Sequence, residues 1–229
     1  MDEQQRWDLY NDFSLWGDVD RFTKMLARYE LFKRVMEMPG DIVEGGVLKG
    51  AGVLYWAKLI QIFNPMSRRK VIGFDTFEGY PEDTSKEHDQ ETARAFTAEQ
   101  IAEQEMVSVD RIMSAAKAQG LEKRIELVKG DASQTIPQYV ADNPGFRISL
   151  LNLDFVLYDP TLAAMKELYP RVLPGGIVVL DEYAVADKGE SDAVDEVLAG
   201  QGIELMNYGW AKSPTAYFVK SDKGIKTDG

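Results

Sequence analysis

Three acidic residues directly follow two apolar runs, and this placement makes them strong candidates for chemistry. Asp154 follows the run 148–153, and Asp181 and Glu182 follow the run 175–180. A continuous apolar run without alternation is typical of a strand buried on both faces, as in parallel sheets. Carboxylates held together repel one another unless a cation or a proton neutralises them. The three acids are therefore interpreted as a ligand site, with solvated strand ends or helix caps as the alternative.

The segment between the two runs predicts how the acids come together. Residues 160–173 carry apolar side chains at helical spacing, and the Pro-Gly-Gly sequence at 174–176 is expected to end that helix. A strand–helix–strand crossover makes its two strands parallel and close neighbours. Neighbouring strands lie about 4.8 Å apart, so their carboxyl ends share one small volume. Open α/β sheets bind their ligands at that edge.

The first predicted strand spans residues 41–47, and its end passes into a glycine-rich turn. Residues 44–52 read Glu-Gly-Gly-x-x-x-Gly-x-Gly, and a helix is predicted over 53–63. Glycines let the backbone approach a ligand closely, and the N-terminus of the following helix faces that ligand. The spacing differs from the dinucleotide fingerprint and from the phosphate loop, which disfavours a dehydrogenase.

Two further acids follow predicted strands. Asp75 ends the strand 70–75, and Asp131 follows Gly130 just beyond the strand 125–128. An acid at the end of the second strand is placed to accept hydrogen bonds from ribose hydroxyls. A helix-capping role for Asp75 is the alternative. The glycine turn and Asp75 together favour an adenosine-type ligand.

The composition bounds the class of protein. The 229 residues carry a net charge of -12 and are 45% hydrophobic, which fits one domain with a sizeable α/β core. The negative charge argues against binding to nucleic acid or to anionic membranes. The chain has no cysteine and one histidine, which excludes disulfides, thiolate catalysis and a poly-histidine metal site within one chain. We find no signal peptide and no membrane-spanning run, so a cytoplasmic protein is expected.

Two segments lie outside this framework. Residues 1–38 carry aromatic side chains at helical spacing and predict two or three amphipathic helices. Core packing is their first interpretation, and a substrate lid or dimer contact is the alternative. Residues 76–110 form a long charged insertion, interpreted as a functional loop or lid. It contains His88, a candidate general base because histidine titrates near neutrality, although a surface histidine is equally compatible.

Residues 203–206 and 215–219 predict a closing antiparallel pair.

The order of the glycine turn, Asp75, Gly130-Asp131 and Leu153-Asp154 resembles that of class I methyltransferases dependent on S-adenosylmethionine. More narrowly, the sequence resembles the macrocin O-methyltransferase family, which methylates sugar hydroxyls. The matching runs cover roughly residues 39–202; they are 39–47, 75–81, 153–161 and 168–176, followed by Asp181-Glu182-Tyr183. The resemblance implies a Rossmann-like, doubly wound, mostly parallel seven-stranded sheet in a single domain over 1–229. It also implies a helical N-terminal extension and an insertion after the second strand.

The resemblance further implies the site residues. Those for the S-adenosylmethionine cofactor are Glu44, Gly45, Gly46, Gly50, Asp75, Thr76, Gly130, Asp131, Ala132 and Asp154. Asp154, Asp181 and Glu182 would hold Mg²⁺ or another divalent cation. The metal would orient a sugar diol and lower the pKa of the attacked hydroxyl, with Asp154 or His88 as the base. The sequence departs from the family pattern at Glu182, commonly Asp, and at Phe155, commonly Gly.

The acceptor implied by the resemblance is a small molecule, either a glycosylated compound or a nucleotide-activated sugar, and a homo-oligomer is expected. Two alternatives stay open. A catechol-type small-molecule O-methyltransferase would use the same acids beside an aromatic acceptor pocket. A non-catalytic α/β module would hold a nucleoside without metal and without turnover.

Overall fold

A six-stranded sheet runs through the part of the chain that the structure describes. The computed structural model describes residues 2–81, 84–102 and 107–221, without the side chains of 96 and 98–102. The strands are β1 (Asp41–Gly45), β2 (Val71–Asp75), β3 (Ile125–Lys129), β4 (Ile148–Leu153), β5 (Val172–Leu180) and β6 (Ala216–Val219). Their order across the sheet is β3-β2-β1-β4-β5-β6, and β6 runs antiparallel to β5 while the others are parallel.

The strand order reverses between β1 and β4. From β1 the chain builds outward through β2 to β3 and then returns to place β4 on the other side of β1. Such a reversal opens a crevice at the carboxyl ends of the two central strands, because the connections leave them in opposite directions. The expected Rossmann-like, doubly wound and mostly parallel sheet is confirmed.

Helices flank both faces of this sheet, except for the first helix, which buries no residue. They are α1 (Glu3–Trp16), α2 (Val19–Val35), α3 (Ala51–Phe63), α4 (Glu87–Ala102), α5 (Val109–Lys117), α6 (Ala132–Asp142), α7 (Tyr158–Ala163) and α8 (Glu190–Leu198). One core lies between the sheet and α2, α3 and α5; the other lies between the sheet and α6, α8 and the turns after α7. All six residues of β4 are buried, which fits its mainly apolar sequence, although the buried residues include the polar Ser149 and Asn152. Among the helices described, none is both long and apolar enough to cross a membrane.

The connection between β4 and β5 differs from the helix predicted over 160–173. After α7 the chain passes into a π-helical stretch, Ala164–Leu168, and then into a 3-10 turn, Tyr169–Arg171. Pro170 lacks a backbone N–H and cannot extend a regular α-helix here. The Pro-Gly-Gly sequence at 174–176 therefore lies within β5 and does not end a helix.

The predicted first member of the closing antiparallel pair is wrong. Residues 203–206 meet β6 through one isolated bridge, between Met206 and Tyr217. Gly200 and Gly202 both adopt a positive φ, so the chain turns just before this segment and does not run along β6. The described residues therefore form six strands, where seven were expected.

The N-terminal residues form two helices, as predicted, but only α2 packs on the sheet. Its buried residues are Ala27, Arg28, Leu31, Phe32 and Val35. By contrast α1 buries none, and Trp7 and Trp16 are 60% and 82% exposed. The aromatics of α1 recur every three residues, and at 3.6 residues per turn this spacing drifts around the helix without forming a stripe. Core packing is therefore the wrong interpretation for α1.

The insertion after β2 contains α4 and the start of α5. Asp89 of α4 is fully buried, and its Oδ2 accepts a hydrogen bond of 2.6 Å from the backbone N of Tyr158. This contact ties α4 to the first turn of α7, beside the carboxyl edge of the sheet. Residues 82–83 and 103–106 of the predicted lid lie outside the described residues.

Candidate active site

The structure brings the three predicted acids together at the carboxyl ends of β4 and β5. These strands are parallel neighbours with Leu153 opposite Leu180, so Asp154 and Asp181 each come directly after a paired residue. One carboxylate oxygen from each of Asp154, Asp181 and Glu182 lies within 4.8 Å of the others. We call these three residues the acid cluster. Their convergence is confirmed, whereas their use as metal ligands stays a prediction.

Two basic side chains of α2 reach the acid cluster. Lys24 Nζ lies 2.6 Å from Asp181 Oδ2 and 3.1 Å from Asp154 Oδ2. Arg28 Nη2 lies 3.3 Å from Glu44 Oε1 and 3.5 Å from Asp154 Oδ2. The Arg28 side chain is 8% exposed and that of Lys24 is 18% exposed. The chain therefore supplies part of the positive charge that the acids require.

These cations and the burial of the site divide the carboxylates into two kinds. Burial raises the pKa of Glu44 to about 7, although Arg28 opposes this shift. Burial and then repulsion from Asp181 raise the pKa of Asp154 to about 7. Burial also disfavours the ionised form of Asp181, but Lys24 and Arg28 outweigh it and hold the pKa of Asp181 below its usual range. Asp181 is thus a permanent anion near neutral pH, whereas Asp154 and Glu44 are poised to gain or lose a proton.

The oxygen donors of the acid cluster fit a divalent cation, which would compete there with Lys24. Lys24 and Arg28 are in ion-pair contact with Glu44, Asp154 and Asp181, so full ionisation of these three acids leaves one negative charge uncompensated. Glu182 adds a fourth negative charge, which Lys188 partly offsets. Protons or a divalent cation would neutralise the remaining charge. Oxygen-only donor sets suit Mg²⁺ and Ca²⁺. Because Lys24 Nζ contacts both Asp154 and Asp181, a bound metal ion would have to displace it.

A cavity of about 260 Å³ opens beside the acid cluster, in the crevice where the strand order reverses. The predicted site residues that line it are Gly46, Asp75, Thr76, Asp131, Ala132, Asp154 and Glu182. Arg21 and Lys24 of α2 and Tyr80 and Pro81 of the insertion also belong to its wall. A wider cavity of about 960 Å³ lies at the amino ends of the strands and contains no predicted site residue.

Asp75 holds the glycine turn in place. Its Oδ2 accepts hydrogen bonds from the backbone N of Val47 at 2.8 Å and of Leu48 at 2.9 Å. Gly46 has a φ of +83°, and a Cβ there would collide with the carbonyl oxygen of Asp154, so only glycine lets the turn approach the end of β4. Asp75 therefore caps a loop and not a helix. Its Oδ1 accepts a further hydrogen bond of 2.7 Å from the backbone N of Phe77. Because each carboxylate oxygen has two lone pairs, one lone pair of Oδ1 remains as an acceptor.

The other predicted residues lie outside the cavity wall; they are Glu44, Gly45, Gly50, Gly130, Asp181 and His88. Glu44 is 2% exposed and forms an ion pair with Arg28. The ring of Phe155 lines the cavity and packs against Gly45. His88 Nε2 lies 3.4 Å from Asp89 Oδ1 on α4. The structure does not bring His88 to the acid cluster, and Asp154 remains as the candidate base.

Lys24, Arg28 and Glu190 were not identified from the sequence. One signal in the sequence could have found Lys24 and Arg28. Basic residues occur at positions 21, 24 and 28, spaced i, i+3 and i+7 on a helix whose other buried residues are apolar. Glu190 is fully buried at the start of α8 and accepts a hydrogen bond of 3.1 Å from the backbone N of Glu182. Burial raises the pKa of Glu190 well above its ordinary value, which favours a neutral acid that positions Glu182.

The reversed strand order, the cavity at the carboxyl edge and the glycine turn held by Asp75 together define the class: a Rossmann-like, doubly wound α/β protein. The family follows from direct comparison. The chain belongs to the macrocin-O-methyltransferase (TylF) family, whose profile matches residues 20–206.

Curated relatives and solved structures agree with this membership. The chain is 28% identical over 149 residues to a tetracenomycin-C rhamnosyl 4'-O-methyltransferase of Streptomyces olivaceus, covering 65% of this chain and 54% of the relative. It is 27% identical over 152 residues to the mycinamicin III 3''-O-methyltransferase of Micromonospora griseorubida, covering 65% and 57%. The chain thus spans just over half the length of these curated relatives.

Two solved structures share the fold. The calicheamicin methyltransferase CalS11 superposes with a TM-score of 0.74 at 28% identity, covering 93% of this chain and 85% of CalS11. The O-methyltransferase NovP superposes with a TM-score of 0.72 at 22% identity, covering 87% of this chain and 80% of NovP.

Proposed function

We propose that this chain transfers a methyl group from S-adenosylmethionine to a hydroxyl group of a sugar or of a sugar-bearing natural product. The observation that carries the proposal is one cavity whose wall contains both Asp75 and Asp131, suited to a nucleoside, and Asp154, suited to a base. Family membership supports the cofactor and the reaction. The names of the relatives, which specify a rhamnosyl and a mycinamicin acceptor, support a small sugar-type substrate.

The cofactor would be held by residues from three strand ends. These are Gly46, Asp75, Thr76, Asp131 and Ala132, all on the cavity wall. After Asp75 has accepted from the backbone N of Val47, Leu48 and Phe77, one lone pair of its Oδ1 is left for a ribose hydroxyl. Asp131 caps α6 by accepting a hydrogen bond of 2.9 Å from the backbone N of Ser133, which orients its carboxylate. When bound, S-adenosylmethionine supplies an electrophilic methyl group.

Asp154 would take the proton of the acceptor hydroxyl. Its pKa of about 7 lies near working pH, which suits a general base. Until a cation displaces it, Lys24 Nζ lies 3.1 Å from this carboxylate and holds it in place. The hydroxyl oxygen would bond to the methyl carbon as the carbon–sulfur bond breaks. Asp154 would take the hydroxyl proton, and S-adenosylhomocysteine would be the product released.

We further propose that transfer requires a divalent cation, with Mg²⁺ preferred. Asp154, Asp181 and Glu182 would hold it once Lys24 has moved aside, and their oxygen donors favour Mg²⁺, Ca²⁺ or Mn²⁺ over zinc. When bound, the cation lowers the pKa of the acceptor hydroxyl. EDTA should abolish transfer while leaving S-adenosylhomocysteine binding intact, and added Mg²⁺ should restore transfer.

The test is methyl transfer from labelled S-adenosylmethionine to a panel of glycosylated compounds and nucleotide-activated sugars. Asp154→Asn should lower kcat by about 100-fold or more, because loss of a general base costs that much. Asp142→Asn is the matched control, since Asp142 is exposed at the end of α6. Transfer to catechols in place of sugars would support a catechol-type enzyme. Cofactor binding without transfer to any acceptor would support the nucleoside-binding module instead.

A further inference from the structure

Three basic residues on one side of α2 form a row that runs from the core to the cavity. Arg28, Lys24 and Arg21 are spaced by four and three residues, so they share one face of the helix. Their exposure rises along the row: Arg28 is buried, Lys24 is partly buried and Arg21 is exposed at the cavity wall. We call these residues the cation row.

The two inner members of the cation row are matched by acids, and the outer member is not. Arg28 pairs with Glu44, and Lys24 pairs with Asp154 and Asp181. Within residues 2–81, 84–102 and 107–221, no carboxylate lies within ion-pair distance of Arg21. Its neighbour Asp20 pairs with Lys212 at 3.2 Å instead. The guanidinium group of Arg21 therefore has hydrogen-bond donors that no acid of the described residues engages, at the wall of the cavity.

We propose that Arg21 binds an anionic phosphate group of the acceptor, so that the substrate class is a nucleotide-activated sugar and not a neutral glycoside. This inference rests on the proposed O-methyltransferase function and narrows its acceptor. A guanidinium group binds phosphate oxygens through two parallel hydrogen bonds, which gives it direction as well as charge. In a chain with a net charge of -12, a local cation is needed to hold a phosphorylated substrate against the general repulsion.

The position of Arg21 on α2 favours the acceptor over the cofactor as the source of the anion. Lys24 marks the reacting edge, because it contacts Asp154. Arg21 lies three residues from Lys24, a rise of about 4.5 Å along the helix, on the side away from Arg28 and the glycine strand β1. A sugar with one hydroxyl at Asp154 can therefore present a neighbouring phosphate to Arg21. The carboxylate of S-adenosylmethionine is the competing anion, and the experiment separates the two.

The experiment measures binding by calorimetry on the full chain, with TDP-rhamnose and its uncharged counterpart methyl rhamnoside, each added in the presence of S-adenosylhomocysteine. TDP-rhamnose is the acceptor in the description of CalS11. Arg21→Gln should weaken TDP-rhamnose binding by about tenfold or more, because hydrogen bonds to charged groups are lost. Arg21→Lys should recover part of the affinity. The Kd values of methyl rhamnoside and S-adenosylhomocysteine should stay within about twofold of wild type.

The control is Lys33→Gln, which removes one positive charge from the exposed side of the same helix and should leave all three Kd values unchanged. Weaker binding of S-adenosylhomocysteine to Arg21→Gln would assign Arg21 to the cofactor carboxylate and overturn the proposal. Unchanged TDP-rhamnose binding in that variant, or no TDP-rhamnose binding by the wild type, would overturn it as well. Failure of the O-methyltransferase function would give a different result. TDP-rhamnose would still bind the wild type more tightly than Arg21→Gln, but no methyl group would be transferred.

Discussion

The helices α1 and α2 are both rich in aromatic residues, yet only α2 is part of the folded core. The buried residues of α2 lie at positions 27, 28, 31, 32 and 35, which is helical spacing. The same helix brings the side chains of Lys24 and Arg28 to the acid cluster. α1 buries none of its residues and meets α2 through a ring contact between Phe13 and Phe22. The family match begins at residue 20, at the start of α2. Apolar content therefore does not decide which helix packs; regular spacing and matched charges do.

The difference also shows why α2 carries buried charge at all. Moving an arginine out of water is costly, and a buried ion pair offsets this cost only with close partners. Arg28 has such partners in Glu44 and Asp154, and it also lies over the ring of Trp56 at 5.5 Å. Since Glu44, Asp154 and Asp181 come from three different strands, Arg28 and Lys24 join α2 to the strand ends that form the cavity.

The largest effect is expected from Arg28→Met. The change leaves Glu44 buried without its cation, so the free energy of unfolding should fall by about 3–5 kcal/mol at about pH 8. Urea unfolding measures this, with Lys33→Met as the control because Lys33 forms an exposed pair with Glu30. The double change Arg28→Met with Glu44→Leu should recover part of the loss. An Arg28→Met protein as stable as the control would remove the basis for treating α2 as part of the site.

A smaller effect is expected from pH. The pKa of Glu44 is raised to about 7 by burial, whereas the unfolded chain releases this proton near the ordinary value. Between these pH values the folded state holds the extra proton, so the free energy of unfolding should fall as pH rises and level off above about pH 7. The slope is up to about 1.4 kcal/mol per pH unit for one proton.

Urea unfolding in EDTA between about pH 5 and 8 measures this slope. Glu44→Gln keeps the shape of the side chain and cannot ionise, so its profile should be flatter than that of the wild type. Parallel profiles for the two proteins would contradict the assignment of this proton to Glu44.

The smallest effect on stability is expected from deletion of residues 1–16. Because α1 buries no residue, the free energy of unfolding should change by less than about 1 kcal/mol. S-adenosylhomocysteine binding should also be retained, whereas acceptor turnover should fall if α1 acts as the predicted cover. Chemical unfolding and calorimetry on the shortened chain check both points. A loss of several kcal/mol would instead show that α1 packs as α2 does.

Much of the sheet and its acidic edge could be predicted from the sequence, because those features are local. The mainly apolar run of β4 and the acid at its end are adjacent in the chain, and the single crossover to β5 makes the two strands neighbours. The same holds for Asp75 at the end of β2. Each of these predictions needed only a periodicity and the position of one residue after it.

The charge balance of the site could not be predicted in this way, because it depends on contacts between distant parts of the chain. Lys24 is separated from Asp154 by 130 positions and from Asp181 by 157, and nothing local to α2 indicates which acids it will meet. The placement of His88 could not be predicted for the same reason: α4 contacts α7 through Asp89, and the cavity wall does not include His88.

The most direct test of the account is the affinity of the acid cluster for Mn²⁺, measured by calorimetry on the full chain near neutral pH without substrate. The central claim is that Lys24 occupies the position of a divalent cation between Asp154 and Asp181. Lys24→Met removes this competitor and should tighten Mn²⁺ binding by about tenfold or more, since a unit charge about 4 Å away is lost. Lys33→Met should bind Mn²⁺ as the wild type does. Equal or weaker Mn²⁺ binding by Lys24→Met would contradict the claim.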